Sequence, residues 1–108
     1  FYEESRTFMT QIGFREAKRR VCEALKSERY QVAARNSIDT KNLLYSNEIT
    51  TAELLAIVER CNGNDHERQP HETVPRIDVH ILKKDGWYIK FYFLEDQDPE
   101  TFFLSVHR

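Results

Sequence analysis

Residues 77–93 read IDVHILKKDGWYIKFYF, and residues 102–107 read FFLSVH. In the first stretch Ile77, Val79 and Ile81 alternate with Asp78 and His80, and Trp87, Ile89, Phe91 and Phe93 alternate with Tyr88, Lys90 and Tyr92. In the second, Phe102, Leu104 and Val106 alternate with Phe103, Ser105 and His107. A period of two is the mark of an extended chain with one covered face, so the end of the sequence predicts three strands. A two-residue Asp85-Gly86 turn would pair Ile81 with Lys90 and mix apolar with polar alternates. The expected hairpin therefore has a three-residue loop, Lys84-Asp85-Gly86, with Gly86 left-handed in a bulge, Ile81 opposite Ile89 and His80 opposite Lys90. The link from Glu95 to Thr101 returns the third strand antiparallel. One sheet face is then expected to carry Asp78, His80, Tyr88, Lys90, Tyr92, Ser105 and His107.

Upstream the period changes. Phe14, Ala17, Val21, Ala24 and Leu25 recur at helical spacing, with Arg and Glu on the other side. Residues 31–35 are too short to classify by period and fit a brief edge strand or a loop, the strand being preferred, and Ser37 or Asp39 can cap a short helical turn through Lys41, Leu43 and Leu44 that Ser46-Asn47 ends. At residues 49–54, ITTAEL, Thr50 as N-cap puts Glu53 at the third helical position, completing a capping box, and Ile49 can touch Leu54 as a hydrophobic staple. That helix is expected to run through Cys61 and close at Asn62-Gly63 with the glycine left-handed. Residues 64–75, polar and holding two prolines, read as an exposed loop. The fold class is therefore α+β, with N-terminal helices packed on a C-terminal antiparallel β-sheet.

Composition agrees with one ordinary globular unit. The chain has 108 residues, enough for one core and not two, so residues 1–108 are taken as a single domain. No apolar run approaches the roughly 20 residues of a membrane span, and residues 1–10 lack the basic and apolar regions of a signal peptide, so a cytoplasmic protein is expected. Cys22 and Cys61 form no CxxC pair and read as two buried thiols. Cys61, His66 and His71 match no standard zinc spacing, so neither metal nor cofactor is expected. The net charge of −2 gives no global attraction for nucleic acid, so any phosphate contact must be local. The basic helix surface around Lys18, Arg19 and Arg29 reads as solvated, with an acidic partner or an RNA backbone as its other use.

Histidines, lysine and tyrosines on one uncovered sheet face are residue types that can cleave RNA without a metal. The reaction needs a base for the ribose 2′-OH, a cation for the charge growing on the phosphorane, and an acid for the leaving 5′ oxygen. Histidine as a residue type titrates near neutrality, Lys supplies a point charge, and Tyr offers a stacking ring with a hydroxyl. His80 and Tyr92, with Arg108, are the expected RNA-contacting residues. The alternative is a non-catalytic RNA- or protein-binding module that uses the same face.

The order of elements resembles the MqsR-type (motility quorum-sensing regulator) mRNA interferase toxins of the RelE-like ribonuclease fold, over roughly residues 16–108. The resemblance rests on Arg35-Asn36 before Asn42-Leu43-Leu44, on Glu48-Ile49-Thr50 opening a helix, and on Asp78-Val79 followed by Tyr88-Ile89-Lys90-Phe91 and Leu104-Ser105-Val106-His107. It implies a type II toxin-antitoxin toxin: an endoribonuclease that cuts messenger RNA at short motifs and is held inactive by a cognate antitoxin protein. It further implies that Tyr88 is the active-site tyrosine, that His107 is the basic residue closing the last strand, and that Arg68 stands where the family has a catalytic lysine. Ile77 stands where well-known members have glutamine before Asp-Val, and the acidic balance departs from their basic character. The expected catalytic set is His107 as acid or base, Lys90 and Arg68 on the phosphorane, and Tyr88 positioning the substrate.

Overall fold

The computed structural model describes residues 12–33, 42–94 and 99–108. Among these residues two helices, α1 (Phe14–Ser27) and α2 (Thr51–Arg60), pack on a sheet of five strands: β1 (Tyr30–Val32), β2 (His66–Pro70), β3 (Asp78–Lys84), β4 (Trp87–Phe93) and β5 (Thr101–His107). The order across the sheet is β1-β5-β4-β3-β2. The α+β class and the helices-on-sheet arrangement stand. The sheet is larger than expected and mixed, because the brief strand after α1 lies at the edge and runs parallel to β5.

Both helices cover the same side of the sheet. Ala17, Val21 and Leu25 of α1 and Leu54, Ile57 and Val58 of α2 bury their apolar stripes against Leu82, Ile89, Phe91, Phe103 and Val106. Phe91 and Phe103 are fully buried, and truncating either would cost about 3–5 kcal/mol. α2 begins as its sequence dictates: Thr50 Oγ1 accepts from Glu53 N at 3.1 Å and Glu53 Oε1 accepts from Thr50 N at 2.9 Å, with Ile49 and Leu54 both in the core. Its end differs from expectation. Cys61 turns to an extended conformation, and Asn62 caps a separate 3-10 turn, Gly63–Asp65, accepting from Asn64 N at 2.8 Å. Lys18 of α1 caps the last turn of α2, donating to the carbonyls of Glu59 (2.8 Å) and Cys61 (2.9 Å). That lysine is structural and not merely solvated. Cys22 and Cys61 are buried free thiols.

Three further expectations give way. Residues 43–47 form turns rather than a short helix, with Asn42 bridged to Val106; the caps Ser37 and Asp39 lie outside the described residues. Within the expected loop, residues 66–70 form the edge strand β2, in which Arg68 faces His80 in register. The β3–β4 hairpin uses the two-residue turn after all: Asp85 (φ 54°) and Gly86 (φ 82°) are both left-handed, as a type I′ turn requires, and Ile81 pairs with Lys90. The reason is that β3 is buried on both faces. His80 and Leu82 point to the helices, while Val79 and Ile81, only 2% and 3% exposed, lie on the other side.

On β5 the register with β4 shifts between Lys90 and Phe91: Lys90 pairs with Ser105 but Phe91 with Phe103, leaving Leu104 as an extra residue. This bulge turns Phe103 inward and lets Ser105 and His107 stay outward. Phe102, expected inside, lies on the open face against Tyr92.

Candidate functional site

The sheet face opposite α1 and α2 is built around β4. Strict alternation leaves Tyr88, Lys90 and Tyr92 pointing away from the helices, half-buried between neighbours from β3 and β5. The bulge in β5 brings His107 directly opposite Tyr88 and Ser105 opposite Lys90. The Tyr88 and His107 rings stack, with centroids 5.0 Å apart and planes 21° from parallel. The type I′ turn places Lys83 opposite Tyr88, and its ammonium lies 5.9 Å from the Tyr88 ring centre. Glu67 of β2 holds that ammonium from the far side at 3.1 Å, an exposed pair that orients more than it stabilises.

One contact bears on the chemistry available to His107. Its Nδ1 lies 3.1 Å from the main-chain oxygen of Arg108, an acceptor, a contact that favours a proton on Nδ1. The neutral ring then presents the lone pair of Nε2, the form a general base needs. Farther along the face, Tyr92 meets the His71 ring edge-on at 5.1 Å.

Of the residues expected in the site, the structure brings together His107, Tyr88, Lys90 and Tyr92, with Ser105 beside them. Three others lie elsewhere. His80 is on the helix side, 1% exposed, its Nδ1 2.9 Å from His66 Nε2, stacked between His66 at 5.2 Å and Phe91 at 5.6 Å. Burial, and secondarily the charges of His66, Arg68 and Arg20, pushes its pKa down to about 3, so it is a neutral core residue and not an RNA contact. Arg68 sits on β2 toward the same side, where its guanidinium donates to the Ile12 carbonyl at 3.0 Å. Arg108 lies 4.8 Å over the ring of Trp87, a residue of the helix-side core. Asp78 also leaves the expected face, and its buried Oδ2 has no hydrogen-bond partner among the described residues.

The displacements of Asp78, His80 and Lys83 share one origin. A one-residue shift in the hairpin exchanges every alternate of β3, so Asp78 and His80 go inward while Lys83, which the expected loop left out of the site, comes outward. The Asp85-Gly86 pair, the strongest local signal for a two-residue hairpin, was the feature that could have found Lys83. The zinc alternative disperses: Cys61 Sγ donates to the Ile57 carbonyl, His66 pairs with His80, and His71 Nδ1 accepts from the amides of Thr73 and Val74.

No helix among the described residues is long and apolar enough to cross a membrane. Comparison with protein-family models, with curated proteins and with solved structures finds no match to this chain.

Proposed function

We propose that the open face cleaves RNA by attack of a ribose 2′-OH, and that the protein is a type II toxin, an mRNA interferase of MqsR type. The observation that carries this reading is the stacked Tyr88–His107 pair, flanked by Lys83 and Lys90 on a face that no helix among the described residues covers. His107 Nε2 takes the 2′-OH proton as the 2′ oxygen bonds to phosphorus. Lys90 and Lys83, the latter in the role expected of Arg68, hold the negative charge of the phosphorane. The Tyr88 hydroxyl protonates the departing 5′ oxygen, which leaves a 2′,3′-cyclic phosphate on one fragment and a 5′-OH on the other. Every group in this scheme is a side chain of the protein. The toxin reading carries with it a cognate antitoxin and a cytoplasmic messenger RNA substrate.

End-labelled single-stranded RNA incubated with the purified protein in excess EDTA tests the chemistry. The expected result is cleavage with a 2′,3′-cyclic phosphate end. An intact RNA, or cutting that chelation abolishes, contradicts it and leaves the face as a binding module. Induction in cells tests the toxin role: growth should stop, and co-expression of a protein encoded beside it should restore it.

A further inference from the structure

Beside Lys90 the open face is hollow. A cavity of about 220 Å³ lies between the segment 69–73 and the sheet, with Val79, Lys90, Leu104 and Ser105 beneath it and Gln69 and His71 at its side. None of it is used by the proposed chemistry except Lys90. The cavity owes its shape to three features of the sequence. The β5 bulge pushes Leu104 and Ser105 to the same side, Val79 is on the open face because of the hairpin register, and His71 N donates to the Ile77 carbonyl at 2.9 Å, which folds the chain after β2 back over the sheet.

The lining is that of a site for a flat, polar-edged molecule. Leu104 offers apolar surface to a ring face above the buried Val79, while Gln69, Ser105 and His71 offer hydrogen bonds to its edge. Among the described residues no hydrogen bond engages the Gln69 amide or the Ser105 hydroxyl. The His71 ring is already fixed: its Nδ1 accepts from Thr73 N at 3.1 Å and Val74 N at 3.2 Å, so the proton of the neutral ring is on Nε2, a preset donor. Position completes the case. Lys90 and Ser105 are one strand repeat, about 7 Å, from Tyr88 and His107, so a chain whose phosphate lies over the stacked pair has its neighbouring nucleotide over the cavity.

We infer that this cavity seats one unstacked nucleobase of the RNA next to the cleaved phosphate, and that Gln69, His71 and Ser105 set which base is accepted. The inference rests on RNA being the substrate of this face, as proposed above. A hydrogen-bonding site of this kind discriminates because the wrong base leaves desolvated polar groups unpaired.

Binding of four homopolymeric 2′-fluoro RNA hexamers, which lack the attacking hydroxyl, separates base selection from cutting. Fluorescence anisotropy with the full chain should show one base bound roughly tenfold more tightly than the weakest. In Gln69→Ala and in Ser105→Ala that ratio should fall to within about threefold, while His107→Ala keeps it. Gln69 is exposed, so Gln69→Ala remains informative if the Ser105 change unfolds the protein. Equal binding of all four by the parent, or a ratio that survives in both pocket variants, overturns the inference. Base preference without cleavage of ordinary RNA would uphold the pocket and overturn the nuclease reading. Cleavage by a protein whose preference ignores both variants would do the reverse.

Discussion

Two histidine stacks lie on opposite faces of one sheet. On the covered face His80 is pressed between His66 and Phe91 at 1% exposure, beside the buried Arg20, and it is held neutral by burial. On the open face His107 stacks on Tyr88 with Lys83 close by, half-exposed and within reach of a ligand. Ring geometry is nearly the same in the two, with interplanar angles of 17° for His66–His80 and 21° for Tyr88–His107. What differs is solvent. A histidine that must stay neutral to remain folded is a packing residue, whereas one that faces water is open to a ligand.

The largest stability effect should come from the covered stack. His80→Ala empties a fully buried site and leaves His66 without its partner, so a loss of about 2–4 kcal/mol is expected in urea unfolding. A loss under about 1 kcal/mol would mean that the covered stack is no more structural than the open one.

Acid should find the same stack. The folded-state pKa of His80 is pushed down to about 3 from an ordinary value of 6.5, so between these the unfolded chain binds more protons. Its contribution is therefore complete above about pH 6.5 and declines as pH falls toward 3, by at most about 1.4 kcal/mol per unit. Burial lowers His66 in the same direction, adding to the slope. Thermal melts between about pH 7 and pH 4.5 should show this decline in the parent and a shallower one in His80→Phe, which fills the site without a titrating group. Equal slopes would place the acid sensitivity elsewhere.

The turn that assigns residues to the two faces should respond more weakly. Gly86→Ala puts a Cβ on a residue at φ 82°, where the cost is backbone strain of about 1 kcal/mol with no steric clash nearby. Smallest of all should be Asp85→Asn. Asparagine tolerates the left-handed conformation, and only the exposed pair with Arg60 at 2.6 Å is lost, worth less than about 0.5 kcal/mol. A reversed order for these two would show that the ion pair, and not the glycine, holds the hairpin register.

What could be read in advance follows from how local its cause is. The capping box of α2 is legible because Thr50 and Glu53 satisfy each other within one turn. The outward set Tyr88, Lys90 and Tyr92 is legible because β4 is central, with a covered and an open face and nothing else to decide. β3 is not, since Val79, His80, Ile81 and Leu82 are all buried and alternation there carries no sign of which set meets the helices. Nor is β2: its exposed, charged residues and Pro70 are held by pairing with β3, a partner that lies beyond the local sequence. The bulge at Leu104 is equally silent, for it appears only when Phe103 and Val106 are both required inside.

His107→Ala tests the central claim, that the open face does the chemistry while the covered face holds the fold. Cleavage of a defined single-stranded RNA and a thermal melt should be measured on the same preparation. The expected result is a rate lower by roughly 10²- to 10⁴-fold with stability changed by less than about 1 kcal/mol. Cleavage within about threefold of the parent, or loss of the fold, would contradict it.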